Sequence, residues 1–109
     1  MELSTSNKGN YTVAEISGRI DTTNYNEFET QVMEIIEKGE NNIVLNCENL
    51  NYISSSGLRV FLITQKKLMG LKGKLHLCNM QPAIKEIFDI SGFSSIFKIF
   101  DTEEQALDG

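Results

Sequence analysis

The chain has one histidine, two cysteines and no apolar stretch that approaches membrane-spanning length. The missing apolar run excludes a transmembrane helix. Met1-Glu2-Leu3 opens with neither the basic region nor the apolar segment of a secretory leader, and neither end carries a lipidation signal. A soluble cytoplasmic protein is therefore expected. Cys47 and Cys78 each lie in an apolar, strand-like segment with no second Cys or His at ligand spacing. That favours two reduced core thiols over a disulfide or a metal site. In a chain of net charge −5, the ten Lys and Arg residues occur singly or in short pairs. They form no basic stripe along the sequence that could follow a nucleic-acid backbone. No low-complexity segment, internal repeat or linker interrupts the sequence, and 109 residues with 40% hydrophobic content suit one compact core. One domain spanning residues 1–109 is expected.

The patterns that are present describe an α/β fold. Leu3–Ser6 and Tyr11–Ile16 flank the turn formers Asn7-Lys8-Gly9-Asn10, which reads as an N-terminal hairpin. Asn24, with Glu27 three residues on, has the spacing of a capped helix start; Tyr25, Phe28, Val32, Ile35 and Ile36 then share a face that Gly39 ends. Ile43-Val44-Leu45 is short and apolar enough for a buried strand, and Leu58, Phe61, Leu62, Leu68 and Met69 fall on one face of the helix after it. Lys74–Cys78 reads as the next strand, with His76 on its polar face. Pro82 suits the first position of a third helix, where Ile84, Ile87 and Phe88 form the stripe and Gly92 the stop. Ile96–Phe100 reads as a last strand, and Thr102-Glu103-Glu104-Gln105 has capping-box spacing for a terminal helix. Strands and helices alternating from residue 42 imply parallel crossovers. The expected fold is a mixed, mostly parallel sheet with about four helices packed on it.

Ser54-Ser55-Ser56-Gly57 lies where a strand gives way to a helix, so first-turn N–H groups and the positive end of the helix dipole face these serines. Capping explains one serine, with Gly57 allowing a tight turn, but it does not call for three. A nucleophile elbow lacks its preceding glycine, and the lone histidine is on another strand. No Gly-rich phosphate loop followed by Lys is present. Intrinsic catalysis is thus disfavoured, and no cofactor is expected. A phosphoryl group received at Ser55 would add about −1.5 to −2 charges, which a helix N-terminus tolerates without unfolding.

These residues resemble the STAS family, specifically its small bacterial anti-sigma factor antagonists. That family carries a strand, a loop reading approximately Asp-Ser-Ser/Thr/Ala-Gly-Leu, and a helix. The corresponding loop here is Ser54-Ser55-Ser56-Gly57-Leu58, approached through Leu50-Asn51-Tyr52-Ile53. Gly18-Arg19-Ile20-Asp21, Ile43-Val44-Leu45-Asn46 and the segment from Pro82 to Phe93 are similar to three further family elements in the same order. The resemblance implies a binding switch. The unphosphorylated antagonist binds an anti-sigma factor that is also a serine kinase, and phosphorylation ends the association. It places the acceptor at Ser55, with Ser56 and Gly57 beginning the helix beside it and Asp21 near the same surface; Ser54 and, one turn into the helix, Arg59 complete the expected partner-binding residues. ATP and magnesium would belong to the kinase. A serine phosphatase is a further implied partner, and the free chain is expected to be a monomer.

One departure from the family pattern is Ser54, where an acidic residue usually precedes the acceptor. It makes Ser54 and Ser56 rival hydroxyls to Ser55. It also motivates an alternative reading, a STAS interaction module without phosphorylation in a transport-associated or signalling complex.

Overall fold

The computed structural model describes residues 1–109 and shows a five-stranded sheet in the order β1-β2-β3-β4-β5. The strands are β1 (Glu2–Lys8), β2 (Tyr11–Ile20), β3 (Asn42–Ile53), β4 (Lys74–Cys78) and β5 (Lys98–Phe100). β1 runs antiparallel to β2 through the expected hairpin, and every other neighbouring pair is parallel. Helices α1 (Tyr25–Glu37), α2 (Ser55–Gly70) and α3 (Pro82–Ile90) make the three crossovers, and α4 (Glu103–Asp108) follows β5.

The sheet is covered on both faces. A cluster of 21 buried residues joins one face to α1, α2 and α3, centred on Phe61, whose ring meets those of Phe28, Phe88 and Phe97. A smaller cluster of Tyr11, Val13, Val44, Cys78 and Ala106 lies between the other face and α4. Alternation along β3 explains the division: Ile43, Leu45 and Cys47 belong to the larger cluster and Val44 to the smaller. Cys47 and Cys78 are buried free thiols in different clusters.

Five local expectations change. His76 does alternate with Leu75 and Leu77, but its face is covered by α4. It is 2% exposed, its Nδ1 lies 2.8 Å from the Ala106 carbonyl oxygen, and its ring sits between Tyr11 and Phe100. Asn24 precedes α1 without capping it; its side chain accepts from the Asp21 N–H and donates to the Arg19 carbonyl, tying down the β2–α1 turn instead. β3 continues to Ile53, because its second half, in which Leu50 and Ile53 are buried, extends past β4 and still pairs with β2. On α2, Val60 and Thr64 are buried while Met69 is exposed. The last strand is shorter than Ile96–Phe100, since Phe93–Ser95 forms a 3-10 turn that sends Phe97 into the core.

Candidate functional site

Parallel pairing brings the serine loop and Asp21 together. Ile20 is opposite Ile53 and Arg19 opposite Tyr52, so β2 and β3 end side by side, and the Ser54 N–H donates to the Ile20 carbonyl at 2.9 Å. Register shifts before Ser17 and Arg19 set this alignment, with Gly18 at φ +95° between them, a conformation that L side chains rarely adopt. Asp21 and Ser54 are thus the first residues beyond two adjacent strands.

The three serines have different surroundings. Ser54 is the N-cap of α2: its Oγ accepts from the Gly57 N–H at 3.2 Å, and its carbonyl accepts from the Leu58 N–H at 3.0 Å. That leaves the N–H groups of Ser55 and Ser56 as the open donors at the helix start. Ser55, the first residue of the helix, is exposed. Ser56 is half-buried in a groove of about 310 Å³ between α1 and α2, which Tyr25, Glu29, Arg59 and Ile63 also line. Arg59 is exposed one turn after Ser55 on the same side of the helix.

Gly57 has a different role from the one expected. Its backbone needs no positive φ, but a Cβ there would lie 2.8 Å from both Ile20 Cγ2 and Ile53 Cγ1. Glycine lets the first turn of α2 press against the ends of β2 and β3, and this contact fixes where the serines stand.

Asp21 is a firmly ionised acid. The Thr23 hydroxyl and N–H both donate to Oδ1, at 2.6 and 2.9 Å, and Arg19 Nε donates to Oδ2 at 3.1 Å. Together these donors hold its pKa down to about 2, the Thr23 hydroxyl contributing most. The Arg19 guanidinium also stacks 4.6 Å from the Tyr52 ring centre, linking the two strand ends. Sequence reasoning missed Arg19, Thr23 and Tyr52. The Asp-x-Thr spacing of an Asx turn was available as a signal for Thr23, whereas the Arg19–Tyr52 pair depends on a register that no local pattern reveals.

Several known proteins share this architecture. The STAS domain family model matches residues 2–106. BtrV of Bordetella bronchiseptica, provisionally named an anti-sigma factor antagonist, is 39% identical over 94 residues, 86% of this chain and 81% of that protein. The anti-sigma F factor antagonist of Paenibacillus polymyxa is 31% identical over 96 residues, 87% of this chain and 82% of that protein. Among solved structures, the anti-sigma factor antagonist SpoIIAA in its unphosphorylated form superposes with a TM-score of 0.83 at 24% identity, covering 98% of this chain and 94% of that one. Its phosphorylated form, described as a Bacillus cell fate determinant, gives 0.75 over 98% and 97%. These two structures bear on the fold alone. With a family match over nearly its whole length and two relatives above 30% identity, the chain belongs to the STAS domain family.

Proposed function

We propose that this chain is a cytoplasmic anti-sigma factor antagonist that docks on an anti-sigma factor with serine-kinase activity and is released when Ser55 is phosphorylated. The observation that carries this reading is the division of labour among the serines. Ser54 is occupied as the cap and Ser56 is half-buried, so Ser55 is the exposed hydroxyl at the helix start. A kinase can reach it without unfolding α2.

A phosphate on Ser55 would meet the open N–H groups of Ser55 and Ser56 and the positive end of the α2 dipole, a setting that stabilises an anion by roughly 0.3 to 1 kcal/mol. Arg59, four residues on, can approach the same oxygens. At a docked interface the added bulk and charge instead meet the partner's surface, where acidic or apolar groups would make binding unfavourable. The scaffold tolerates both forms and the complex tolerates one. A phosphatase that removes the phosphate restores binding, and Asp21 with Arg19 forms the rim next to the acceptor.

The transport-associated alternative was motivated by Ser54 in place of the usual acid. Ser54 performs the capping task open to a carboxylate at that position, so the departure does not require the switch to have been abandoned. Incubation with the cognate kinase and ATP, followed by mass spectrometry, tests the reading. One phosphate on the wild-type chain and none on Ser55→Ala supports it; an unmodified wild type, or modification that persists in Ser55→Ala, contradicts it.

A further inference from the structure

Unpaired lysines concentrate around the C-terminal end of α2, where the neighbouring carboxylate is Glu40, one residue before the Asn41 carbonyl that accepts from the Lys74 N–H. From Asn49 to Lys85 the chain contains no acidic residue, although it carries a net charge of −5 overall. Within that span Lys66, Lys67, Lys72 and Lys74 cluster around the C-terminal end of α2 and the start of β4, and Lys98 at the start of β5 joins them through the β4–β5 pairing. The ion pairs in the structure use Lys8, Arg19 and Lys85, so these five lysines are unpaired. Lys67, in the last turn of α2, complements the helix dipole. Lys74 and Lys98 are on strands, where the dipole of α2 gives no reason for them.

Apolar surface is exposed at the same place. Met69 is 65% exposed, Ile96 45% and Leu71 44%. Met69, Ile96, Lys74 and Lys98 line a groove of about 260 Å³, and Gln65 fixes one wall by donating from Nε2 to the Ile96 carbonyl at 2.9 Å. An apolar floor with cations at its edge matches an amphipathic helical segment with acidic side chains on one face and apolar ones on the other.

We infer that this basic, apolar groove at the far end of α2 is a second docking surface, one that takes an acidic amphipathic segment of a partner protein. A bilayer or a duplex fits less well. Either is an extended anionic surface that would also face the acidic remainder of the molecule, whereas a short segment meets only the patch. The groove is concave, which suits an inserted side chain. Met69 is about 20 Å along the helix from Ser55, beyond the roughly 8 Å over which charge is felt at physiological salt. Binding here is therefore independent of Ser55 phosphorylation, and the inference stands whether or not the phosphoswitch does.

The test is an amide chemical-shift titration of the full chain with a short helix-forming peptide that carries Glu on one face and Leu on the other. Shifts confined to residues 65–74 and 96–98 are expected. The double variant Lys74→Glu/Lys98→Glu should weaken binding about tenfold, Met69→Ser should also weaken it, and Ser55→Glu should leave it within about twofold. All substituted positions are exposed, and melting temperatures verify the folds. Replacing Glu by Gln in the peptide should abolish the shifts. The inference is overturned by shifts elsewhere or nowhere, by unchanged affinity in the double variant, or by phosphatidylserine vesicles or a DNA duplex perturbing the same residues at lower concentration than the peptide.

Discussion

At the residue scale, position 57 is the most constrained in the site. A methyl group there would lie 2.8 Å from Ile20 and Ile53 side-chain carbons. Gly57→Ala should therefore cost about 1–3 kcal/mol in a urea melt through overpacking. Alanine's better helix propensity offsets only part of that loss. The neighbouring serines should separate cleanly. Ser54→Ala removes the cap and should cost about 1 kcal/mol, while Ser55→Ala should stay within about 0.5 kcal/mol of wild type. Equal losses at the two positions would show that Ser54 is not the cap. Asp21 gives a pH signature. Its folded-state pKa of about 2 is below the ordinary 3.8, so its bonds to Thr23 and Arg19 contribute fully above about pH 4. That contribution is lost as pH falls toward 2. A carboxyl NMR titration should find the depressed midpoint, and Thr23→Ala should move it upward; a midpoint near 3.8 in the wild type would contradict the Asx-turn geometry.

At the scale of elements, Phe61 on α2 meets α1 through Phe28, α3 through Phe88 and the segment between the 3-10 turn and β5 through Phe97. Phe61→Ala should cost about 3–5 kcal/mol, measurable as a lowered denaturation midpoint, and a loss below about 1 kcal/mol would mean the ring is not the hub. The hairpin, the three strand–helix units and the parallel crossovers after residue 42 were legible in the sequence, because periods of 2 and 3.6 and the punctuation by Gly9, Gly39, Pro82 and Gly92 are local signals, whereas the strand order was not. What covers each face was not. Alternation at His76 correctly separated two faces but could not reveal that α4 folds back over the second. Asn24 illustrates the same limit: its side chain can cap a helix or tie a turn, and the Arg19 carbonyl at the end of β2 decided for the turn. Of the site, the serine loop and Asp21 were legible, whereas the reason for Gly57 was not, since it lies in contacts with two strands rather than in its own turn.

At the scale of the molecule, charge and topology divide the surface. The parallel strands end together, and that end holds Asp21 and the serine loop. The opposite end of α2 carries unpaired lysines around Met69 and Ile96. The helix that presents Ser55 thus connects two surfaces too far apart to couple by direct electrostatics. At the first of them, in the proposed switch, a phosphate at Ser55 prevents docking while the fold persists. Isothermal titration calorimetry of the stoichiometrically phosphorylated and the unmodified chain against the cognate anti-sigma kinase tests it most directly. Binding weakened by about a hundredfold or more, or roughly 2.7 kcal/mol, with an unchanged circular dichroism spectrum is the predicted result. Equal association constants for the two forms, with phosphate mapped to Ser55, would contradict it.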